Sequence, residues 1–355
     1  MAKLKLRSVR WNGPACGALG IMLASCQLAC AGDSSPTLAR IRARAELSCG
    51  IDIEQAEYST SDENGNRAAF DLNLCRAVAI AVLGADARVR ASRYPDDAAA
   101  IAALKGGEVD MVPTLPDDFT HATTMRIAFT RPVLWDGVGF LLLSSSPVTH
   151  ARQLNGKKIC FLAETEVEES TRAWFAREHL DFVPFPFQEE GEMQAAFSTG
   201  NCGALAGDRT RLAETRAAMK LHGKSTRLVP ESISKDPLAL AVADDDRQWL
   251  EIVSWVFEEL LQAEQSDITA SNVLDLQSHQ SEQSDPERRF LLGASHQVGS
   301  ALGLGNDWAV RVIHATGNYG EIYERTLGSG SPMKLPRGDN RLNRDGGLML
   351  ALPPN

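Results

Sequence analysis

The sequence lacks the short motifs that mark the common hydrolytic, nucleotide-binding and metal-dependent enzymes. It contains no Gly-x-Ser-x-Gly nucleophile elbow, no phosphate-binding loop and no His-Glu-x-x-His. Its 7 histidines are scattered, none of them clusters with a cysteine, and there is no Cys-x-x-Cys. We therefore predict that the protein is not an enzyme and binds no cofactor, and the ligand spacing disfavours a zinc site.

Positive charge and long apolar runs are also scarce. The 36 Lys and Arg residues are outnumbered by 46 Asp and Glu, which gives a net charge of −10. Since nucleic-acid phosphates demand a basic face, we expect no nucleic-acid partner. After residue 31 no apolar stretch approaches the roughly 18 residues that would indicate a membrane span, so we expect no transmembrane helix in the mature chain.

The N-terminus carries the pattern of a targeting signal. Four basic residues precede position 11, and an uncharged stretch of small and apolar residues follows over 15–31. We predict that residues 1–31 are a signal peptide and that the protein is exported to the periplasm. Cleavage before Cys26 would remove four positive charges and no negative one, shifting the net charge to −14.

Two processing routes fit this segment. Leu23-Ala24-Ser25-Cys26 resembles a bacterial lipobox, which would make residues 1–25 a lipoprotein signal and anchor the acylated Cys26 in the membrane. Ala29-Cys30-Ala31 fits ordinary signal peptidase instead. The sequence leaves both routes open.

Four of the 7 cysteines lie in the body of the chain, at Cys49, Cys75, Cys160 and Cys202. An even number of cysteines in an exported chain predicts disulfide bonds, here two of them. The sequence alone allows three ways of pairing them.

The body alternates strand-like and helix-like segments, which predicts an α/β fold with parallel sheets covered by helices on both faces. Asp71 is expected to cap the helix that it begins. The first series comprises strands at 47–51, 89–94 and 109–113 and helices at 71–83 and 96–105. The second comprises strands at 159–163, 182–187 and 204–206 and helices at 166–178 and 190–198.

Two such series predict two lobes. The apolar run 138–143 is expected to cross from the first lobe to the second, and residues 229–235 are expected to cross back. Lobe 1 would then comprise residues 33–139 and 236–355, the latter including a C-terminal extension, and lobe 2 would comprise residues 144–228.

Several stretches, in the same order and spacing over nearly all of residues 45–355, resemble the periplasmic amino-acid-binding proteins of bacterial ABC importers, specifically the general L-amino-acid-binding subgroup. The stretches in the first two thirds of the chain are Phe70-Asp71-Leu72-Asn73-Leu74-Cys75-Arg76-Ala77, Gly107-Glu108-Val109-Asp110, Trp135-Asp136-Gly137-Val138-Gly139-Phe140 and Ile233-Ser234-Lys235-Asp236-Pro237-Leu238. Those in the last third are Asn272-Val273, Asn306-Asp307-Trp308, Gly317-Asn318-Tyr319-Gly320-Glu321, Glu324-Arg325 and Gly346-Gly347-Leu348-Met349.

The resemblance implies a periplasmic-binding-protein-like fold, in which two α/β lobes joined by a two-crossing hinge close around a small ligand. It implies a monomer that delivers its ligand to an inner-membrane ABC permease. It also supplies a disulfide pairing, Cys49 with Cys75 and Cys160 with Cys202, so that each bridge would lie within one lobe.

The first-lobe side of the cleft departs from the family pattern. The family places an arginine for the ligand carboxylate after the Gly-Glu-Val-Asp strand, where this sequence has Ala122 or Thr123. Of the Thr-rich turn there, Thr114 remains as a ligand-binding candidate. Pro116, which has no N–H to donate, and the acidic candidates Asp117 and Asp118 replace the rest.

The second-lobe side departs as well. The family's Gly-Thr-Thr turn is Glu164-Thr165-Glu166 here, whereas Asp208 matches the acid that accepts the ligand's ammonium group. Glu57 and Tyr58 occupy the position of a glycine and an aromatic residue, and Tyr58 is a candidate for stacking on the ligand.

These replacements predict a site that favours a positive charge. Two unit charges 4 Å apart interact by about 4 kcal/mol at an effective dielectric near 20, so several inward-facing acids without an arginine would repel a carboxylate. The ligand is then a cationic amine, or an amino acid bound in a different way. The acids at helix starts also fit ordinary helix caps, which would leave Asp208 as the principal ligand contact.

Two other functions remain open on the sequence alone. One is a ligand-sensing or vestigial member that keeps the fold without transport binding. The other is a periplasmic dehydratase on the same fold, which the apparent lack of arginines for two substrate carboxylates disfavours.

Overall fold

The computed structural model describes residues 35–52, 67–282, 285–294 and 298–353. The predicted signal peptide with Cys26, and the candidate ligand residues Glu57 and Tyr58, lie outside these ranges. Among the described residues, no helix combines the length and hydrophobicity that crossing a bilayer requires.

The strands of the described residues fall into three sheets. In chain order they are β1 (Glu46–Asp52), β2 (Arg88–Tyr94), β3 (Val112–Pro116), β4 (Ile127–Asp136), β5 (Val138–Leu143), β6 (Lys158–Leu162), β7 (Val183–Phe187), β8 (Ala204–Asp208), β9 (Thr226–Leu228) and β10 (Asp236–Ala243).

Helices separate or follow most of these strands. They are α1 (Pro36–Arg44), α2 (Arg67–Leu83), α3 (Asp97–Lys105), α4 (Phe119–Thr124), α5 (Glu166–Arg177), α6 (Glu190–Ser198), α7 (Arg209–Leu221), α8 (Arg247–Gln265), α9 (Val273–Ser278), α10 (Pro286–Leu291), α11 (Val298–Ala301), α12 (Trp308–Thr316) and α13 (Tyr319–Thr326).

The strands of the two predicted series pair in parallel with one another, as expected, but the sheets also contain antiparallel pairs. The strands run in the orders β1-β2, β3-β10-β4 and β7-β6-β8-β5-β9. β1 with β2 and β6 with β7 and β8 are parallel, whereas β10 is antiparallel to β3 and β4, and β5 is antiparallel to β8 and β9. The antiparallel pairs are those that contain a strand at or beside the predicted crossings.

The structure has two α/β lobes, and their hydrophobic cores are built from different parts of the sequence. The largest hydrophobic cluster joins residues from both ends of the described chain, from Leu38 in α1 to Ala351, and contains the fully buried Trp249 and Trp308. Two clusters on either side of the five-stranded sheet use only residues between Val138 and Ile233.

Both disulfides have the pairing that the family resemblance implied. Cys49 in β1 bonds to Cys75 in α2 with a Cα–Cα distance of 6.4 Å. Cys160 in β6 bonds to Cys202 before β8 with a Cα–Cα distance of 5.8 Å. Both distances lie within the usual range for a disulfide.

The two crossings lie side by side and are hydrogen-bonded to each other. Val138 donates its N–H to the Ser234 side chain over 2.8 Å, and Ile233 donates its N–H to the Val138 carbonyl over 2.8 Å. Gly137, with φ +150°, makes this approach possible. A Cβ there would clash with the Ser234 carbonyl and lie 2.5 Å from the Ser232 hydroxyl.

Candidate functional site

A cavity of about 260 Å³ opens where the start of α7 meets the crossings. It draws its walls from the ends of β5, β8 and β10 and from α5, α6 and α7. Its polar lining residues are Thr165, Glu166, Ser170, Glu190, Asp208, Arg211, Thr215 and Asp236. Its apolar walls include Val138, Leu162, Met193 and Leu205.

Buried polar contacts fix the start of α7 against the crossings. The carboxylate of Asp136 accepts hydrogen bonds from the hydroxyl and the N–H of Thr210, the latter over 3.4 Å. Arg209 donates to the carbonyls of Val229 at 2.9 Å and Glu231 at 3.1 Å. Its side chain packs on Gly139, where an added Cβ would come within 3.0 Å. The first turn of α7 is therefore held in place from both crossings.

Asp208 and Arg211 enter the cavity from this fixed turn. Asp208 is the residue before α7, and its side chain makes no capping hydrogen bond to the helix. Arg211 follows one turn later and lies 3.9 Å from the buried carboxylate of Glu214. Sequence reasoning found Asp208 but missed Arg211. The i, i+3 spacing, which places both residues on one helix face, was the signal that could have found it.

The Glu164-Thr165-Glu166 turn begins α5 at the opposite wall. Thr165 is the N-cap, and its hydroxyl accepts the Glu168 N–H over 3.4 Å and donates to the Leu162 carbonyl over 2.8 Å. Glu164 has a φ of +60° and donates its N–H to the Glu168 carboxylate. Thr165 and Glu166 line the cavity, whereas Glu164 is absent from its lining.

Two further acids that the sequence analysis did not propose as site residues line the cavity. Asp236 begins β10 and accepts a hydrogen bond from the Ser234 hydroxyl over 3.0 Å. Burial raises the pKa of Asp236, the Ser234 hydrogen bond opposes the rise, and nearby Asp136 adds to it. Glu190 stands at the start of α6.

Thr114 is placed away from this cavity. It is buried in the middle of β3, with φ +52°, and its hydroxyl donates to the Asp71 carboxylate at 2.9 Å. The prediction that Asp71 caps a helix was wrong, because α2 begins four residues earlier, at Arg67, and Asp71 lies inside it. Both residues line a separate small recess together with Asp96 and Asp97.

Asp117 and Asp118 follow β3 and are also absent from the lining of the cavity. Asp118 is the N-cap of α4, where it accepts the His121 N–H at 2.9 Å and contacts the His121 ring at 2.6 Å. Burial alone would raise the pKa of Asp118, but the hydrogen bonds and charge of His121 outweigh it and lower the pKa. Burial, with the charge of Asp118, raises the pKa of Asp117.

The relatives of this chain match it over nearly its whole length. It is 34% identical over 324 residues to the general L-amino acid-binding periplasmic protein AapJ of Rhizobium johnstonii, covering 90% of this chain and 93% of that protein. It is 34% identical to the glutamate/glutamine/aspartate/asparagine-binding protein BztA of Rhodobacter capsulatus, covering 90% and 94%. The chain belongs to the periplasmic amino-acid-binding proteins of ABC importers.

A solved structure agrees with this assignment. The ABC transporter periplasmic binding protein of Brucella ovis, with glutathione bound, superposes with a TM-score of 0.74 at 32% identity, covering 90% of this chain and 99% of that one. No family model matches the chain. The protein is thus a periplasmic solute-binding component of an amino-acid-type ABC importer.

The cavity of this binding protein is strongly acidic. Glu166, Glu190, Asp208 and Asp236 line it, and Arg211 is the one cationic side chain among the described lining residues, which leaves a formal balance of three negative charges. The expectation of a site without arginine was therefore wrong at this cavity, although the excess of acid agrees with the predicted preference for a cation.

The described residues contain no group of three or more His, Cys, Asp or Glu side chains arranged to hold a metal ion. The cavity acids are distributed over α5, α6, α7 and β10 rather than converging on one point. Their arrangement suits an organic solute with separated polar groups.

Proposed function

We propose that this binding protein captures a basic amino acid, with the ammonium group on Asp208, the carboxylate on Arg211 and the cationic side chain toward the remaining acids. The observation that carries the proposal is the placement of Asp208 and Arg211 on one fixed helical turn, facing Glu166, Glu190 and Asp236 across about 260 Å³. The relatives' names refer to amino acids and a tripeptide, ligands that share an α-ammonium group. The acid excess is our reason to assign a positive side chain.

Removing the charge of Asp208 tests the ammonium contact. Asp208→Asn keeps the shape of the side chain and removes its charge, so it should weaken L-arginine binding by roughly 1.5–3 kcal/mol, about 10- to 100-fold in Kd. Isothermal titration calorimetry measures the effect. Asp181→Asn, at an exposed position of the same lobe, is the matched control and should bind as the wild type does.

The choice of ligand class depends on contrasting solutes. We expect L-arginine or L-lysine to bind more tightly than L-glutamate, L-glutamine, L-leucine and glutathione, because the cavity carries excess negative charge. Micromolar binding of any of the last four, without tighter binding of a basic amino acid, would contradict the proposal.

Replacing Arg211 tests whether the ligand is an amino acid with a carboxylate or an amine without one. Agmatine is arginine without its carboxylate, so Arg211→Gln should weaken L-arginine about 10- to 100-fold and leave agmatine unchanged or bound more tightly. Equal losses for both ligands would show that Arg211 does not hold a carboxylate, and tight binding of agmatine alone would identify the ligand as an amine.

The remaining proposals concern the oligomeric state, the division into lobes, the permease and the absence of catalysis. We propose that the protein works as a monomer with lobe 1 at 33–139 and 236–355, lobe 2 at 144–228 and crossings at 138–143 and 229–235, and that it delivers its ligand to an inner-membrane permease. We also propose that it turns over no substrate, since the cavity offers one arginine rather than the pair that a dicarboxylic substrate requires. Incubation with prephenate should therefore yield no product.

We propose that the N-terminal signal is processed by one of two routes, acylation of Cys26 or cleavage after Ala31. If Cys26 is acylated, wild-type protein should partition with membranes, and Cys26→Ser should move it to the soluble fraction. A fully soluble wild type would instead indicate cleavage after Ala31.

A further inference from the structure

A second cavity, of about 480 Å³, lies away from the ligand cavity, between the C-terminal half of α7, the turn into β9 and residues 332–334. Four cationic side chains line it, and none of the described lining residues is acidic. The cations are Arg216, Lys220, Lys224 and Lys334. This is unusual for a chain with a net charge of −10.

None of the four cations forms an ion pair with a carboxylate within the described part of the chain. Arg216 is half-buried and donates to two backbone carbonyls, those of Met333 and Lys334, the latter at 3.1 Å. Burial lowers the pKa of Arg216, and the nearby charge of Arg209 lowers it further, with no acid opposing the shift. The positive charge is therefore uncompensated where the structure describes its surroundings.

The cavity also offers hydroxyl donors. Ser225 and Thr226 line it. The Ser225 hydroxyl is hydrogen-bonded to the Ser144 hydroxyl over 2.8 Å, whereas the buried Thr226 hydroxyl has no hydrogen-bond partner among the described residues. Clustered cations with additional O–H donors are the groups that recognise carboxylates and phosphates.

The cations come from two parts of the molecule. Lys220 and Lys224 belong to the end of α7 and its following turn, where Met219 packs in a core of the five-stranded sheet. Lys334 lies between Met333 and Leu335, which pack in the core that joins the two chain ends. An anion in the cavity would touch both parts.

We propose that this cavity binds a small polyanion, carrying several carboxylate or phosphate groups, through Arg216, Lys220, Lys224 and Lys334. Four cations confined around one cavity repel one another, and a single ligand with several negative charges relieves that repulsion in one binding event. The cavity volume accommodates a molecule of the size of citrate or pyrophosphate.

Calorimetric titration with citrate and with pyrophosphate, at an ionic strength held constant with NaCl, tests the proposal. We expect saturable binding of at least one probe. Lys220→Ala/Lys224→Ala should weaken it about tenfold or more, because it removes two of the four cations. Both lysines are exposed, so the variant retains its fold. Lys105→Ala/Lys157→Ala, which removes the same charge from exposed positions elsewhere, should bind as the wild type does.

Asp208→Asn separates this site from the ligand cavity, because it should leave anion binding intact whatever it does to amino-acid binding. Absence of binding for both probes, or equal weakening in the two lysine pairs, would overturn the proposal. So would binding of an acidic peptide such as hexaglutamate with neither small anion bound, which would assign the cavity to a macromolecular partner.

Discussion

Glu259 in α8 is an acidic residue whose environment disfavours its negative charge. It is only 2% exposed, and one carboxylate oxygen has no hydrogen-bond partner among the described residues. Burial, with the adjacent charge of Glu258, raises the pKa of Glu259 from 4.5 to about 8. Neighbouring Glu258 is paired with Arg131 at 3.1 Å, whereas Glu259 is protonated at neutral pH.

The raised pKa predicts a pH dependence of stability. Between pH 4.5 and about 8 the folded carboxyl holds a proton that the unfolded one releases, so the free energy of unfolding falls as pH rises through this window. Glu259→Gln should remove this slope and stabilise the protein at pH 8 by about 1–3 kcal/mol. Urea denaturation at pH 5 and pH 8 measures it. Glu251→Gln, a more exposed change in the same helix, should keep the wild-type slope.

At the level of elements, the crossings depend on one glycine. Gly137→Ala would place a Cβ against the Ser234 carbonyl, at a φ of +150° that residues with a side chain rarely adopt. The backbone segments around Gly137 and Ser234 would therefore have to move apart. We expect a loss of about 2–3 kcal/mol in stability and weaker ligand binding, since the separation moves α7 with its Asp208. Thermal unfolding and calorimetry test both effects. Gly191→Ala in α6, where an added Cβ meets nothing within 4 Å, is the control, and unchanged behaviour of Gly137→Ala would refute the close approach.

The sequence predicted elements well where local pattern decides them. The helix predicted at 190–198 matches α6 to the residue, and the apolar run predicted at 138–143 coincides with β5. β4 was missed and β3 lies three residues later than predicted, because both pair with β10, more than a hundred residues away in the chain. Arg211 was missed because α7 was not predicted, so the i, i+3 spacing of Asp208 and Arg211 was not recognised as one helix face.

At the level of the whole molecule, each of the two disulfides lies within one lobe and leaves the other lobe unconstrained. They close loops of 26 and 42 residues, which the chain-entropy model equates with about 3.5–4 kcal/mol each. Cys160→Ser/Cys202→Ser should lower the free energy of unfolding by about that amount and leave the Cys49–Cys75 bridge intact. Denaturant unfolding measures the loss of stability, and mass spectrometry of non-reduced peptides checks the remaining bridge. A free energy of unfolding equal to that of the wild type would contradict the predicted loss.

The uneven use of the chain by the two cores has a consequence for secretion. A polypeptide that emerges N-terminus first delivers all of residues 138–233, and with them the cores of the five-stranded sheet, while the other core still lacks Tyr319, Tyr323 and Met349. The cores of the second lobe can therefore form while the C-terminal residues are still being exported. The core of the first lobe can be completed only after the last residues have emerged, so its N-terminal strands remain incompletely packed until then.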